Sequence, residues 1–323
     1  MSNPQAIGVG FVAQIMEILL AEMNARVAHI PMLAHYTSLD AFKSILRCKE
    51  LWFSRVTDMS DTSEMTEGGE IVAAALEKFG PQVFKSFCYS ETDTRQRFAS
   101  IRSKIEAETY VLSLCEHGSD QRTDRLTMWR AYGHDGNGLC LVLRKNTLLG
   151  QSAAGKFPVH WSPIVYETRS QLEERVLRRL TQIEEVFGKA SQGALALLKS
   201  ALGVMVTGFV LSLVFSHKNE AYDDEREVRF VRSGLLQTSP LPAGAGNRNV
   251  GTATKPKDVF VLPLREYPEF QINASLPALL DHIIIGPSHQ QEAMYKEVGE
   301  LLRFNNLSRV QIIRSSIPYR ANH

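Results

Sequence analysis

Residues 222–231 read YDDEREVRFV, and this stretch organises the interpretation of the chain. As a β-strand it places Glu225, Glu227 and Arg229 on one face, because side chains two residues apart point to the same side of a sheet. A rise of about 3.3 Å per residue separates the two carboxylates by roughly 6–7 Å. Such a row can hold a ribose by hydrogen bonds and stabilise a developing cation. It equally fits a strand face with cross-strand ion pairs, so the stretch alone leaves both interpretations open.

The composition predicts a single α+β domain over residues 1–323. With 323 residues, of which 44% are hydrophobic, the chain can bury a large core. Its 36 basic and 35 acidic residues give a net charge of +1, so no bulk charge attracts it to nucleic acid or acidic membranes. The four cysteines are far apart and form no CxxC pair, which favours reduced thiols and a cytoplasmic location. No metal-ligand spacing and no signal peptide is recognisable, so neither a metal site nor secretion is expected.

The order of the elements indicates mixed sheets with helical insertions. We predict an N-terminal helix within residues 1–30, a helical insertion at 171–216 and a mobile loop at 233–257, which is rich in Gly, Ala, Pro, Ser, Thr and Asn. Between them lie strands without regular βα alternation, which favours α+β over a doubly wound sheet. Residues 200–216 carry no charge, but their Ser, Thr and Gly content favours a buried helix over a membrane span.

Several short motifs resemble a bacterial family known only as "domain of unknown function 2971". They occur in the order that is typical of that family: His35-Tyr36-Thr37, Leu51-Trp52-Phe53-Ser54, Ser60-Asp61-Thr62-Ser63-Glu64, Leu112-Ser113 to Glu116, Met128-Trp129 with Tyr132, Gly138 before a strand, Glu225-Arg226-Glu227-Val228-Arg229 and Ile284-Ile285-Gly286-Pro287. The resemblance extends from residue 33 to about 313. Because the family name carries no activity, it does not by itself imply a function.

A second resemblance, to ADP-ribosyltransferase-like proteins, rests on a strand with His and Thr, a short helix and a second strand. It implies a split sheet that clamps NAD between a first-strand His and a late-strand Glu. His35 is similar to that ribose-contacting His and Glu227 to that Glu, and Glu225-Arg226-Glu227 resembles the E-x-E of arginine-directed transferases. Those proteins also use a serine from an S-T-S strand and a tyrosine from the middle of the chain. Ser54 and Tyr132 are the nearest counterparts of these two residues.

This resemblance implies an NAD-using transferase or glycohydrolase with NAD as co-substrate. Glu227 would stabilise the transition state, and Glu225 would orient or deprotonate the acceptor, either a protein or a nucleic acid. The remaining expected contacts to the nucleotide come from His35, Tyr36, Thr37, Ser54, Trp129, Tyr132 and Arg229. Among these, Tyr36, Trp129 or Tyr132 would stack on a ring, and Trp129 and Tyr132 would share a helix face.

Two other functions remain open at this stage. The chain could be a non-catalytic binding or sensing module, for instance in bacterial stress response or phage defence, with the 225–229 stretch as an ion-pair ladder. It could also be a nucleic-acid-directed enzyme, for which Arg122 to Arg130 or Arg175 to Arg179 would supply a local basic patch. A homo-oligomer is compatible with either, and a membrane partner is not expected.

Overall fold

The computed structural model describes residues 25–58, 68–75, 77–78, 96, 100, 103–118, 124–149, 159–189, 209–210, 212–234, 240–252 and 255–318. Of the predicted N-terminal helix, residues 25–28 are helical and the chain leaves the helix before Pro31; the rest of the predicted helix lies outside the described residues. The family motif at Ser60 to Glu64 also lies outside them.

Fourteen strands are found in the described residues: β1 (Met32–Thr37), β2 (Glu50–Arg55), β3 (Thr109–His117), β4 (Leu139–Arg144), β5 (His160–Pro163), β6 (Val165–Tyr166), β7 (His217–Lys218), β8 (Glu227–Ser233), β9 (Gly246–Thr252), β10 (Lys255–Pro263), β11 (Glu266–Tyr267), β12 (Ile272–Asn273), β13 (Leu280–Ile285) and β14 (Gln311–Arg314). Six α-helices have both ends within the described residues: α1 (Leu39–Cys48), α2 (Leu126–Ala131), α3 (Lys145–Leu149), α4 (Arg169–Gly188), α5 (Leu276–Leu279) and α6 (Gln291–Phe304). Short 3₁₀ helices occupy Val56–Asp58, Glu220–Glu225 and Pro268–Phe270.

Ten of the described strands form one mixed sheet, which confirms the predicted α+β class. The main path runs β14-β13-β4-β1-β3-β2-β10-β9, and β8 joins β3 and β5. The pairs are antiparallel except for β13 and β14, which are parallel. Helices and strands alternate without a regular βα repeat, as the sequence predicted.

The sheet splits at β3, because β1 and β2 both pair with the same edge of this strand. β1 pairs with its C-terminal part, as in Ala34 opposite Cys115, whereas β2 pairs with its N-terminal part, as in Ser54 opposite Val111. The other edge of β3 pairs with β8 from Thr109 to Cys115. A gap therefore opens between β1 and β2 beside the middle of β3.

Helix α1 connects the two strands that border the gap. It begins where the Ser38 side chain accepts a hydrogen bond from the Ala41 backbone N–H at 3.1 Å. It ends at Lys49, whose left-handed backbone (φ 53°) turns the chain directly into β2. Phe42 and Leu46 are buried and anchor the helix on the sheet.

The core packs against both faces of the sheet. On β4, Leu141 and Leu143 belong to the larger core cluster, which also includes Phe42 of α1. The intervening Val142 faces the opposite side, with the smaller cluster around Trp129. This alternation follows from the two-residue repeat of a strand that is buried on both faces.

The structure corrects the prediction that Glu225 belongs to the strand of Glu227. Glu220–Glu225 is a 3₁₀ helix, and Arg226 has a left-handed backbone with φ 44°. A residue in that conformation cannot continue a pleated strand, so β8 begins only at Glu227. Glu227 and Arg229 share a strand face as predicted.

The predicted loop at 233–257 is also wrong in part. Residues 246–252 form β9, which pairs with β10 from Lys255 onward in an antiparallel hairpin. The many Gly and Asn residues indicated a loop, but a polar edge strand tolerates such a composition when its backbone hydrogen bonds are made to a neighbour. Residues 235–239 lie outside the described part.

The apolar segment 200–216 is described only in part. Phe209, Val210, Leu213, Val214 and Phe215 are buried. Of the helices in the described residues, none combines the length and the apolar character that a membrane crossing requires.

Candidate functional site

A pocket of about 490 Å³ occupies the gap between β1 and β2. This volume lies within the range of small-molecule and cofactor sites. The lining side chains come from β1, α1, β2, β3 and β8 together with single residues from neighbouring segments. They are His35, Thr37, Ala41, Ser44, Ile45, Cys48, Glu50, Leu51, Trp52, Ser54, Asp58, Val111, Leu112, Ser113, Tyr132, Lys218, Glu227, Arg229 and Lys257.

The carboxylate of Glu227 accepts four hydrogen bonds from other side chains. Arg229 binds it with two nitrogens, Nε to Oε1 at 2.8 Å and Nη2 to Oε2 at 3.1 Å. Ser113 Oγ donates to Oε1 at 2.6 Å, and Lys218 Nζ donates to Oε2 at 3.3 Å. Each oxygen therefore accepts two hydrogen bonds. Since a carboxylate oxygen offers about two lone-pair sites, the described protein groups nearly saturate it.

These contacts determine the ionisation of Glu227. Burial would raise the pKa of this carboxyl, because desolvation disfavours the charge. The charge and hydrogen bonds of Arg229, the charge of Lys218 and the Ser113 hydrogen bond outweigh that effect and lower the pKa to about 2. Glu227 is therefore an anion at neutral pH and a weak proton acceptor.

His35 lines the pocket from β1, where this strand diverges from β3. Burial lowers its pKa to about 4, against a smaller raising effect of a hydrogen bond to the Ser113 backbone. The imidazole is therefore neutral at pH 7. The imidazole forms a hydrogen bond to the backbone of Ser113, a residue of β3 that pairs with neither β1 nor β2. Its other ring nitrogen can contact a ligand.

A two-stranded ribbon of β6 and β7 brings Lys218 to the pocket. Lys218 Nζ donates to Glu225 Oε2 at 2.6 Å as well as to Glu227, so it links the two carboxylates of the E-x-E motif. Beside it in the ribbon, the Tyr166 hydroxyl accepts a hydrogen bond from the Glu227 backbone N–H at 2.6 Å. The ribbon therefore holds both the side chain and the backbone of Glu227.

A second buried charge cluster fixes this ribbon to helix α4. Arg175 binds both carboxylate oxygens of Glu167, at 3.1 and 2.5 Å, and donates to Ser216 Oγ at 2.8 Å. His217 Nδ1 lies 3.2 Å from Glu167 Oε1. None of these side chains lines the pocket described above. We call them the Glu167 cluster, and the Glu227 group with Ser113, Lys218 and Arg229 the Glu227 cluster.

The structure brings six of the nine residues selected from the sequence to one pocket. They come from three strands and one helix end: His35, Thr37, Ser54, Tyr132, Glu227 and Arg229. Tyr132 is 41% exposed, so its ring is accessible. Glu225 does not line the pocket, but it lies behind Lys218, to which it is bonded.

The structure contradicts the expectation that Tyr36 and Trp129 stack on a ligand. Trp129 is fully buried and donates its ring N–H to Asp124 at 2.8 Å, and Tyr36 packs edge-on against it with 4.8 Å between the ring centroids. Burial also raises the pKa of the Tyr36 hydroxyl, which accepts a hydrogen bond from the Arg125 backbone N–H. Trp129 and Tyr132 do not share a helix face, because α2 ends at Ala131.

Of the three arginines in the predicted basic patch at Arg175 to Arg179, only Arg178 is exposed. Arg175 and Arg179 are both buried, the former in the Glu167 cluster. Of the stretch from Arg122 to Arg130, Arg125 is buried beside Asp224 at 3.3 Å, and Arg130 is exposed. Arg122 lies outside the described residues.

Sequence reasoning missed three important residues of the pocket: Lys218, Ser113 and Trp52. Lys218 stands at the end of an apolar run, and Ser113 is the polar residue in the buried strand β3. A polar residue inside an apolar strand is a signal for a buried hydrogen bond, which could have identified Ser113.

Within the described residues, no group of three or more His, Cys, Asp or Glu side chains is arranged to hold a metal ion.

The fold and the pocket together define an α+β protein with a ligand-sized cavity in a split sheet. Residues 128–230 match the family model described as "Protein of unknown function (DUF2971)", which confirms the predicted family resemblance for this segment; the motifs before residue 128 and after residue 230 lie outside the match. The matched segment, which is less than half of the chain, includes Tyr132, Lys218, Glu227 and Arg229. Comparison with curated proteins and with solved structures finds no match.

Proposed function

We propose that the pocket binds NAD and that the protein cleaves the bond between nicotinamide and ribose. One observation carries the proposal: a first-strand His35 and a late-strand Glu227, far apart in the chain, meet at one pocket in a split sheet. A volume of about 490 Å³ suits a ligand of this class. The resemblance to ADP-ribosyltransferases drawn from the sequence implies the same pair of residues.

In this proposal Glu227 acts as a fixed negative charge. As nicotinamide departs with the electron pair of the N-glycosidic bond, positive charge develops on the ribose, and an ionised carboxylate stabilises it. The low pKa of Glu227 suits this role and excludes a role as general base at neutral pH. The acceptor, water or a nucleophilic group of a macromolecule, then forms the new bond to the ribose carbon and loses its proton, for which we propose Glu225, the carboxylate that Lys218 links to Glu227.

The remaining pocket residues supply nucleotide contacts. His35 presents a neutral imidazole to a ribose hydroxyl, and Tyr132 offers an exposed ring for stacking. Lys257 provides positive charge for the phosphates, whereas Lys218 is shared between Glu225 and Glu227. Arg229 is committed to Glu227 and acts on the ligand through that carboxylate.

A second candidate function is a binding module without catalysis. Its specific support is the near saturation of Glu227, since four hydrogen bonds leave this carboxylate little capacity to contact a ribose. In that case the Glu227 cluster is an internal support of the pocket wall, and the same pocket takes a nucleotide as a signal.

NAD binding by calorimetry and nicotinamide release by chromatography test the two candidates. We expect binding together with turnover that is lost in Glu227→Gln and retained in Glu116→Gln, a matched change on β3 outside the pocket. Glu227→Asp, which keeps the charge, controls for lost stability: partial turnover is expected. Binding without turnover would support the binding module, and no binding at millimolar NAD would reject the proposal.

A further inference from the structure

Trp52 is an exposed aromatic side chain inside the pocket that the roles above leave unused. It lies on β2, lines the pocket and is 42% exposed. Large aromatic rings that remain accessible inside a cavity are typical stacking surfaces for planar ligands. Trp52 therefore differs from Trp129, which is fully buried in the core.

The indole of Trp52 is held by its edge. Its Nε1–H donates to Glu50 Oε2 at 3.1 Å. Arg248 of the neighbouring hairpin binds both oxygens of Glu50, at 2.9 and 3.0 Å. Since the ring nitrogen lies at the edge of the indole, this arrangement fixes the orientation of the ring without covering its face. A preoriented ring loses little conformational entropy when a ligand stacks on it.

The strand register gives the position of Trp52 relative to the Glu227 cluster. Ser54 pairs with Val111, and Ser113 pairs with Arg229. Because both pairings are antiparallel, Trp52, two residues before Ser54, is aligned with Ser113 and Arg229. The gap between β2 and β3 separates Trp52 from these two residues. With about 4.8 Å between neighbouring strands, the backbones of Trp52 and Arg229 are separated by about 10 Å or more, and their side chains extend into the pocket between them.

We infer that Trp52 is the stacking platform for the adenine ring of a dinucleotide ligand. This inference rests on the proposed function, which assigns the nicotinamide ribose to Glu227. Trp52 and Glu227 stand on opposite sides of the gap, and the ribose at Glu227 is already taken by the nicotinamide half, so we assign the ring on Trp52 to the distal base. Its ribose and phosphates then extend past His35 toward Lys218, and the chemical class recognised at Trp52 is a purine nucleotide.

Tryptophan fluorescence tests the inference with adenosine monophosphate and nicotinamide mononucleotide as probes. The chain has three tryptophans, Trp52, Trp129 and Trp161. We expect adenosine monophosphate to quench the emission of the wild type and of Trp161→Phe, a partly buried site outside the pocket, but not that of Trp52→Phe. By calorimetry Trp52→Ala should weaken adenosine monophosphate binding about tenfold, and Trp52→Phe, which keeps a ring, less than about threefold.

The outcomes separate this inference from the proposed function. Quenching that persists in Trp52→Phe, an unchanged affinity in Trp52→Ala, or equal quenching by nicotinamide mononucleotide would overturn the adenine assignment, even if NAD turnover is observed. Specific quenching by adenosine monophosphate without any nicotinamide release would support the platform and contradict the enzymatic proposal alone.

Discussion

The Glu167 and Glu227 clusters have similar chemistry and different surroundings. In both, an arginine binds a buried carboxylate with two nitrogens, and a serine completes the set. Only the Glu227 cluster borders the pocket. The comparison teaches that a buried ion pair does not by itself mark a functional site. The opening beside it distinguishes the two, and that opening is made by the split of the sheet.

The largest effect is expected from Arg175→Met, which breaks the enclosed cluster. It leaves the Glu167 carboxylate buried without its bidentate partner, and such losses cost about 3–5 kcal/mol. Urea unfolding followed by circular dichroism measures the change. Arg169→Met on the same helix is the control, because its pair with Glu173 is exposed and should contribute less than about 0.5 kcal/mol. Equal effects of both variants would show that enclosure of the Glu167 cluster contributes nothing.

Glu227→Gln should lower the free energy of unfolding by about 3 kcal/mol. The variant leaves Arg229 and Lys218 without their counter-charge, although Gln preserves the shape of the side chain. The pKa of Glu227 gives the same magnitude, since a fall from 4.5 to about 2 corresponds to about 3 kcal/mol.

The pH dependence of Glu227 has a definite sign. Because the folded state has the lower pKa, the stabilisation is complete above about pH 4.5 and is lost as the pH falls towards 2. The difference in unfolding free energy between the wild type and Glu227→Gln should therefore shrink over this range. A difference that does not depend on pH would contradict the ionised state of the carboxylate.

His35→Asn should remove a pH dependence of on the order of 2 kcal/mol between pH 6.5 and 4. In the wild type the folded His35 stays neutral down to a pKa of about 4, whereas the unfolded chain takes up the proton near 6.5. Acidification over this range therefore favours unfolding. His134→Asn at an exposed site with a positive φ, which Asn tolerates, is the control. An unchanged profile in His35→Asn would contradict burial of the imidazole.

The smallest effect is expected from Glu225→Gln, about 1 kcal/mol. Lys218 loses its 2.6 Å partner but keeps Glu227 at 3.3 Å, so no buried charge is left alone. Thermal unfolding compared with Glu227→Gln measures the ratio of the two effects. A larger loss in Glu225→Gln would make Glu225 the main partner of the lysine.

The sequence predicted the strands better than the directions of their side chains. The apolar runs of β1, β3 and β4 are typical of buried strands, and the two-residue repeat placed Glu227 and Arg229 on one face. The same repeat should have separated His35 from Tyr36, since neighbours on a strand point to opposite faces. The left-handed turn at Arg226 could not be foreseen, because a bulky residue rarely adopts it.

The position of the pocket depended on pairings that a single sequence does not reveal. Ser113 and Lys218 reach Glu227 only because β3 pairs with β8 and β6 pairs with β7. Composition and periodicity describe each segment alone, whereas partner and register are set by the packing of the whole sheet. The residues selected through the ADP-ribosyltransferase resemblance nevertheless include six that line the pocket.

Strand β3 pairs with three other strands, β1, β2 and β8, and this affects the order in which the chain folds. The wall of the pocket from β1 through α1 to β2 is local in sequence, but its floor requires contacts such as Ser113 with Glu227, which are 114 residues apart. Closing loops of this length costs entropy before any contact compensates for it, so such pairings form slowly. The cavity should therefore appear as one of the last events of folding. The rate at which refolding protein regains the capacity to bind a ligand would then report the docking of β8 on β3, whereas far-ultraviolet circular dichroism would report the earlier helices.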